Sequence, residues 1–308
     1  MKQLFSTIVL FITLGLASLQ AATRAEQIRS DLENGSVNKV FVVAHRAAWK
    51  KAPENSRLAV EHAIEMGVDI VEIDIRRTKD GVFVLMHDES IDRTTNGKGQ
   101  VSAFTYEELS KLKLKDADGN VTEHTIPTLE EILLMAKGKV LINLDKADGH
   151  FKELLPLMRK TGSIKDVMLK GYYSEKELIR LLGNDFEGIY MPMVSLRWQS
   201  KQLAQQEGAL DVNAVYPLFK GTNAVETKFK ELTDKVISKE VLAQLKEKNV
   251  RTWINTLMVS HSAGLNDQKA LKDPDSVWGV LIDQGFSIIQ TDEPEILLSY
   301  LREKGHHE

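Results

Sequence analysis

Asp69-Ile70-Val71-Glu72-Ile73-Asp74-Ile75 is the stretch that decides how this chain folds. Successive side chains of a β-strand point to opposite faces, so Val71, Ile73 and Ile75 share one face and Glu72 and Asp74 the other. Two carboxylates so close repel unless a cation or another partner holds them, and charges are not buried bare. The strand therefore calls for an apolar layer on one side and, unless it is an ordinary polar-faced edge strand, an ion-holding space on the other. A parallel barrel wrapped by helices offers both, with the carboxylates turned inward near the C-terminal mouth, where such barrels build their sites.

Working outward, β-branched runs at 40–44, 139–145, 166–170, 188–191, 211–215, 250–254 and 287–290 alternate with helix-like segments. With 69–75 they make eight strands, which predicts a (β/α)8 TIM barrel of the α/β class. An open doubly wound sheet is the alternative, but no glycine-rich dinucleotide fingerprint accompanies it. A further strand at 82–86 follows across Thr78-Lys79-Asp80-Gly81, a hairpin signal. The polar, turn-rich stretch at 88–126 then reads as a small insertion after the second barrel strand. Thr128 as N-cap with Glu131 three residues later restarts the barrel in a capping box.

The chain has 308 residues, 43% of them hydrophobic, enough for one large domain over 38–303. A net charge of −4 argues against nucleic-acid partners, which select basic surfaces. Lys2, an apolar run over 4–19 and Ala21-Ala22 read as a signal peptide at 1–22. The expectation is a periplasmic or secreted chain with no stable membrane span after cleavage; a retained N-terminal anchor is the alternative. Cysteine is absent, so no disulfide framework exists.

Polar residues punctuate the other strands as well. His45-Arg46 ends the first strand and His87-Asp88 closes the hairpin strand. Histidine serves as acid or base near neutral pH, and arginine presents a planar fork that suits phosphate. Of Pro53-Glu54-Asn55-Ser56, Asn55 or Ser56 reads as a helix cap and Glu54 as a first-turn acid. His62, His124, His150, His261, His306 and His307 are assigned no chemistry.

In this order and spacing, the clusters resemble the glycerophosphodiester phosphodiesterase family. The resemblance is carried by His45-Arg46 through Ser56, Val71-Glu72-Ile73-Asp74, His87-Asp88, Asp92-Arg93-Thr94-Thr95-Asn96-Gly97, Ile126-Pro127-Thr128-Leu129-Glu130 and Gly285 through Pro294. It implies a (β/α)8 barrel that hydrolyses glycerophosphodiesters to sn-glycerol 3-phosphate and an alcohol. By that resemblance His45 and His87 are the general acid–base pair and Arg46 a phosphate ligand. Glu72, Asp74 and Asp145 are then ligands of a divalent cation, Ca²⁺ or Mg²⁺, both of which take oxygen ligands. The family carries a Glu and, two residues later, a Lys on the strand where this chain has Asn143-Leu144-Asp145-Lys146. Alternation turns Lys146 to the opposite side from Asp145, which leaves Lys170 to supply the missing positive charge. Ala47 stands where the family has Gly, and Trp253-Ile254-Asn255 keeps part of its tryptophan-rich seventh strand, with Trp253 a substrate contact. A phospholipase-type enzyme acting on intact phospholipid and a catalytically silent glycerophosphate-binding barrel are the rival expectations.

Overall fold

The computed structural model describes residues 21–34, 38–184, 186–195, 212–216, 218 and 221–308. The proposed signal peptide lies almost wholly outside them. Eight parallel strands form the ring: β1 (Phe41–Ala44), β2 (Ile70–Arg77), β6 (Leu141–Asp145), β7 (Val167–Gly171), β8 (Ile189–Ser195), β9 (Ala224–Lys228), β10 (Arg251–Asn255) and β11 (Ile288–Thr291). Each pairs with the next, and β1 closes the barrel by pairing with both β2 and β11. The hairpin strand β3 (Phe83–Leu85) runs antiparallel to the end of β2, outside the ring, with Ile75 opposite Leu85. The tight turn between them places Gly81 at φ 87°, a conformation glycine adopts without penalty.

One predicted strand is corrected. The stretch at 211–215 is not a strand: Val212–Val215 is a short helix, and the sixth barrel strand is β9, Ala224–Lys228. Physical chemistry explains the miss. Half of β9 faces a polar cavity, so Glu226 and Lys228 interrupt what would otherwise be an apolar run.

The core has two layers, as side-chain alternation requires. Outward-facing residues such as Val42, Val71, Ile73, Ile142, Leu169, Ile254 and Ile289 are buried beneath the helices. Inward-facing Phe41, Val43, Ile70, Leu141, Met168, Met191, Trp253 and Ile288 form a second cluster inside the barrel. The helix α1 (Arg24–Asn34) joins that inner cluster through Ala25, Ile28 and Leu32. It seals the end of the barrel where the strands begin. Arg24 donates to the carbonyls of Gly67, Val68 and Lys139, while Arg251 reaches back to Asp31, Leu32 and Lys39. With that end closed, the opposite mouth is left for chemistry.

The insertion carries its own small core of Val84, Met86, Ile91, Val101, Leu109, Leu114 and Ile126. Its hairpin, β4 (Lys113–Lys115) and β5 (Val121–Thr125), brings the turn 115–119 to the barrel mouth. The helix Leu129–Ala136 then resumes the barrel with the expected capping box of Thr128 and Glu131. Among the described residues, no helix is long and apolar enough to cross a membrane.

Candidate active site

The C-terminal mouth opens on a cavity of about 680 Å³. His45, Arg46, His87, Asp145 and Lys170 line it, so five residues predicted from scattered strands converge on one space. Glu72 and Asp74 lie beneath, both 1% exposed. Among the described residues one group of metal-ligating side chains converges: oxygen atoms of Glu72, Asp74 and Asp145 all lie within 4.8 Å of one another. Strand register explains the meeting, because β2 and β6 are in step with Asp74 opposite Asp145.

The donor set suits a hard divalent cation, which takes carboxylate oxygens. Electrostatics agree. Burial, followed by the neighbouring Asp74 carboxylate, pushes Glu72 up to about 7. A cation between the three carboxylates would relieve that repulsion. Burial also works against ionised Asp145, but Lys170 and Lys146 outweigh it and hold the carboxyl down at about 2. Asp74 likewise stays below its ordinary value: its burial is offset by Lys146, then His87.

The turn after β1 is built to hold these strands together. Arg46 and Ala47 both adopt left-handed backbone, φ 50° and 63°, where the family's glycine would sit without strain. The Arg46 amide donates to Glu72 Oε2 at 2.9 Å, and the Ala47 amide to the Glu72 carbonyl. Asn55, also left-handed at φ 54°, is no helix cap. Its amide nitrogen donates to Asp74 Oδ2 at 2.9 Å and its oxygen accepts from the Asp74 amide at 3.0 Å. Ser56 is the cap of α2 (Arg57–Met66), accepting from the Ala59 amide. Glu54 grips two arginines: Arg46 Nη1 at 3.1 Å and Arg93 Nη1 at 2.6 Å.

Each histidine is oriented through Nδ1. His45 Nδ1 lies 2.7 Å from Asp292 Oδ1, and the Trp49 indole donates to the same oxygen at 2.7 Å. Burial disfavours the imidazolium of His45, yet Asp292 and then Glu72 outweigh it and hold the pKa above the ordinary value. His87 Nδ1 lies 2.6 Å from Asp88, which Arg93 engages from its other side at 2.7 Å. Arg93 and then His87 hold the Asp88 carboxyl well below the usual range, against a smaller opposing effect of burial.

Two lysines stand beside the converging carboxylates. Lys170 is buried with Nζ 3.4 Å from Asp145 and 3.5 Å from Glu226. Burial lowers its pKa, but Glu226, Asp145 and Glu72 more than compensate and hold it above the ordinary value. Lys146 overturns the expectation that it faces away. At φ 58° its backbone leaves the strand, so alternation no longer applies, and Nζ returns to 2.9 Å from Asp74 Oδ1. Trp253 is corrected too: it lies fully buried in the inner core and does not line the cavity. Its indole donates at 2.7 Å to Asn255, which does. His261, assigned no chemistry, also lines the cavity.

A sequence model of the "Glycerophosphoryl diester phosphodiesterase family" matches residues 45–295. The glycerophosphodiester phosphodiesterase of Caldanaerobacter subterraneus subsp. tengcongensis is 42% identical over 113 residues, covering 36% of this chain and 46% of that protein. Human glycerophosphodiester phosphodiesterase 1 is 33% identical over 129 residues, covering 40% of this chain and 38% of that one. The matched segments thus span less than half the length of these curated relatives. A crystal structure of a glycerophosphoryl diester phosphodiesterase from Parabacteroides distasonis superposes with TM-score 0.71 at 26% identity, covering 91% of this chain and 92% of that one. An Oleispira antarctica phosphodiesterase, solved with the product sn-glycerol-3-phosphate, shares the fold at TM-score 0.57 and 20% identity, over 85% and 96% of the two chains.

Proposed function

This chain belongs to the glycerophosphoryl diester phosphodiesterase family, and from that membership and the site geometry we propose that it hydrolyses glycerophosphodiesters to sn-glycerol 3-phosphate and an alcohol. One observation carries the reading: three carboxylates converge at and beneath the floor of a cavity lined by two carboxylate-oriented histidines and Arg46. That set matches the needs of a phosphate diester, which requires its charge neutralised and two protons moved.

Glu72, Asp74 and Asp145 would hold a divalent cation, Ca²⁺ or Mg²⁺, whose positive charge polarises the phosphoryl group. Arg46 and Lys170 add positive charge around the phosphoryl oxygens. One histidine accepts a proton from the attacking hydroxyl or water. The other donates a proton to the leaving oxygen as its bond to phosphorus breaks. Asp292 and Asp88 engage Nδ1 in each ring, leaving Nε2 for those transfers. Trp253 acts behind the wall, holding Asn255 in place. The same reading puts the mature chain in the periplasm or outside the cell, on the strength of Lys2 and the apolar run at 4–19.

Product analysis of the purified chain on glycerophosphocholine, glycerophosphoethanolamine and glycerophosphoinositol, with and without chelator, tests this. Cation-dependent release of glycerol 3-phosphate is the expected result. Turnover confined to phospholipid in vesicles would replace the reading with a phospholipase, and loss of no activity on chelation would remove the metal from it.

A further inference from the structure

Glu226, Asn255 and Gln290 line the cavity from three neighbouring strands, and the reaction just described gives none of them a contact with the substrate. Register brings them together: Glu226 lies opposite Trp253 on β10, and Asn255 opposite Gln290 on β11. Glu226 is 1% exposed, and its two oxygens differ sharply. Oε1 accepts from Asn255 Nδ2 at 3.1 Å and has Lys228 Nζ at 3.5 Å. Oε2 accepts no hydrogen bond, and its ionic partner Lys170 stays 3.5 Å away. The Trp253 indole fixes the Asn255 amide that grips Oε1, so one carboxylate oxygen of Glu226 is held and the other is left without a hydrogen bond. Gln290, 2% exposed, likewise presents a buried Oε1 with no hydrogen bond.

Buried acceptors are almost always paired, because leaving one without a donor is costly. Two such acceptors in one cavity wall point to a ligand that brings donors. An ammonium group is disfavoured here, since Lys170 and Lys228 already flank Glu226. Hydroxyl groups bring donors without charge. We propose that Glu226 and Gln290 accept hydrogen bonds from the hydroxyls of the substrate's glycerol half, seating it against β9–β11 beside the phosphate. The assignment rests on the phosphodiesterase reading for the identity of the polyol, and it makes these two residues the determinants of specificity on the glycerol side.

Calorimetric titration of the Mg²⁺- or Ca²⁺-loaded protein with sn-glycerol 3-phosphate, inositol 1-phosphate and ethyl phosphate tests it without requiring turnover. Ethyl phosphate keeps the phosphate and lacks the hydroxyls. The wild-type chain should bind glycerol 3-phosphate roughly tenfold or more tightly than ethyl phosphate, as hydrogen bonds to a charged or buried acceptor allow. Gln290→Met, close in volume, and Glu226→Gln should each shrink that preference by about threefold or more while moving ethyl phosphate less. Absence of a wild-type preference overturns the proposal, as does equal weakening of both ligands or tighter binding of inositol 1-phosphate. Absence of the wild-type preference is decisive even if one variant fails to fold, and the other variant then carries the residue assignment. Preference without hydrolysis of any diester would instead strike the phosphodiesterase reading and leave the polyol site standing; hydrolysis without preference would do the reverse.

Discussion

Asp292, just past the last barrel strand, holds His45, just past the first, with 2.7 Å between Oδ1 and Nδ1. The two residues are 247 positions apart in sequence and meet only because β1 closes the ring against β11. Asp292 is itself fixed from two sides. The Trp49 indole donates to the same Oδ1, and the Asp292 amide donates to buried Asp267 at 2.8 Å.

Asp292→Asn should therefore lower kcat by about 10²–10⁴-fold, up to the cost of replacing a carboxylate that holds a reacting imidazole in its tautomer and orientation. The direction of the pH effect follows from charge. Asp292 helps hold the His45 pKa up, so its neutralisation moves the His45 limb of the pH–rate profile to lower pH. An unchanged profile with reduced rate would mean that Asp292 merely supports the fold.

His45→Ala and His87→Ala should each reduce kcat by about 10²–10⁴-fold, the range for a lost general acid or base. Circular dichroism should show the barrel intact, since both side chains are partly exposed at the cavity. Near-normal turnover in either variant would take that histidine out of the mechanism.

Lys170→Met should weaken kcat/KM about 10-fold or more on every glycerophosphodiester alike, because the ammonium lies beside Asp145 and Glu226 rather than in the outer part of the cavity. A loss confined to one alcohol group would contradict the placement. Part of the effect will appear as reduced stability, since the loss of Lys170 removes one cation from beside both Asp145 and Glu226.

At the closed end of the barrel, His307 Nε2 lies 2.9 Å from Asp69 Oδ2, tying the C-terminal residues to the start of β2. Burial lowers the His307 pKa, but Asp69 more than offsets it and the net shift is upward. A histidine with a raised folded pKa stabilises below its unfolded value of about 6.5 and loses that contribution as pH climbs through the folded value. Thermal melts should thus show His307→Ala lowering Tm more at about pH 6 than at about pH 9. Equal losses at both values would show that the contact is packing rather than charge.

Much of this protein was legible in its residues. Alternation in 69–75 separates Glu72 and Asp74 from the apolar face, and that local geometry survives in any strand. Strand ends marked by His45-Arg46 and His87-Asp88, the hairpin across Gly81 and the capping box at Thr128 are likewise properties of short segments. What escaped was non-local or conformational. Glu226 was missed because a strand facing a polar cavity loses the apolar pattern that identifies strands. Lys146 was turned the wrong way because alternation stops where φ becomes positive, and nothing in Asp145-Lys146-Ala147 announces that change. Glu54 and Asn55 looked like helix-start residues until the fold brought Arg93 and Asp74 to them. The sequence by itself determined seven of the eight barrel strands, the inward carboxylates of the second and the residues fit for phosphate chemistry, because these follow from period and side-chain type. Only the tertiary structure decided which charges meet, since pairings such as Asp292 with His45 and Lys170 with Glu226 depend on ring closure and register across strands distant in the chain.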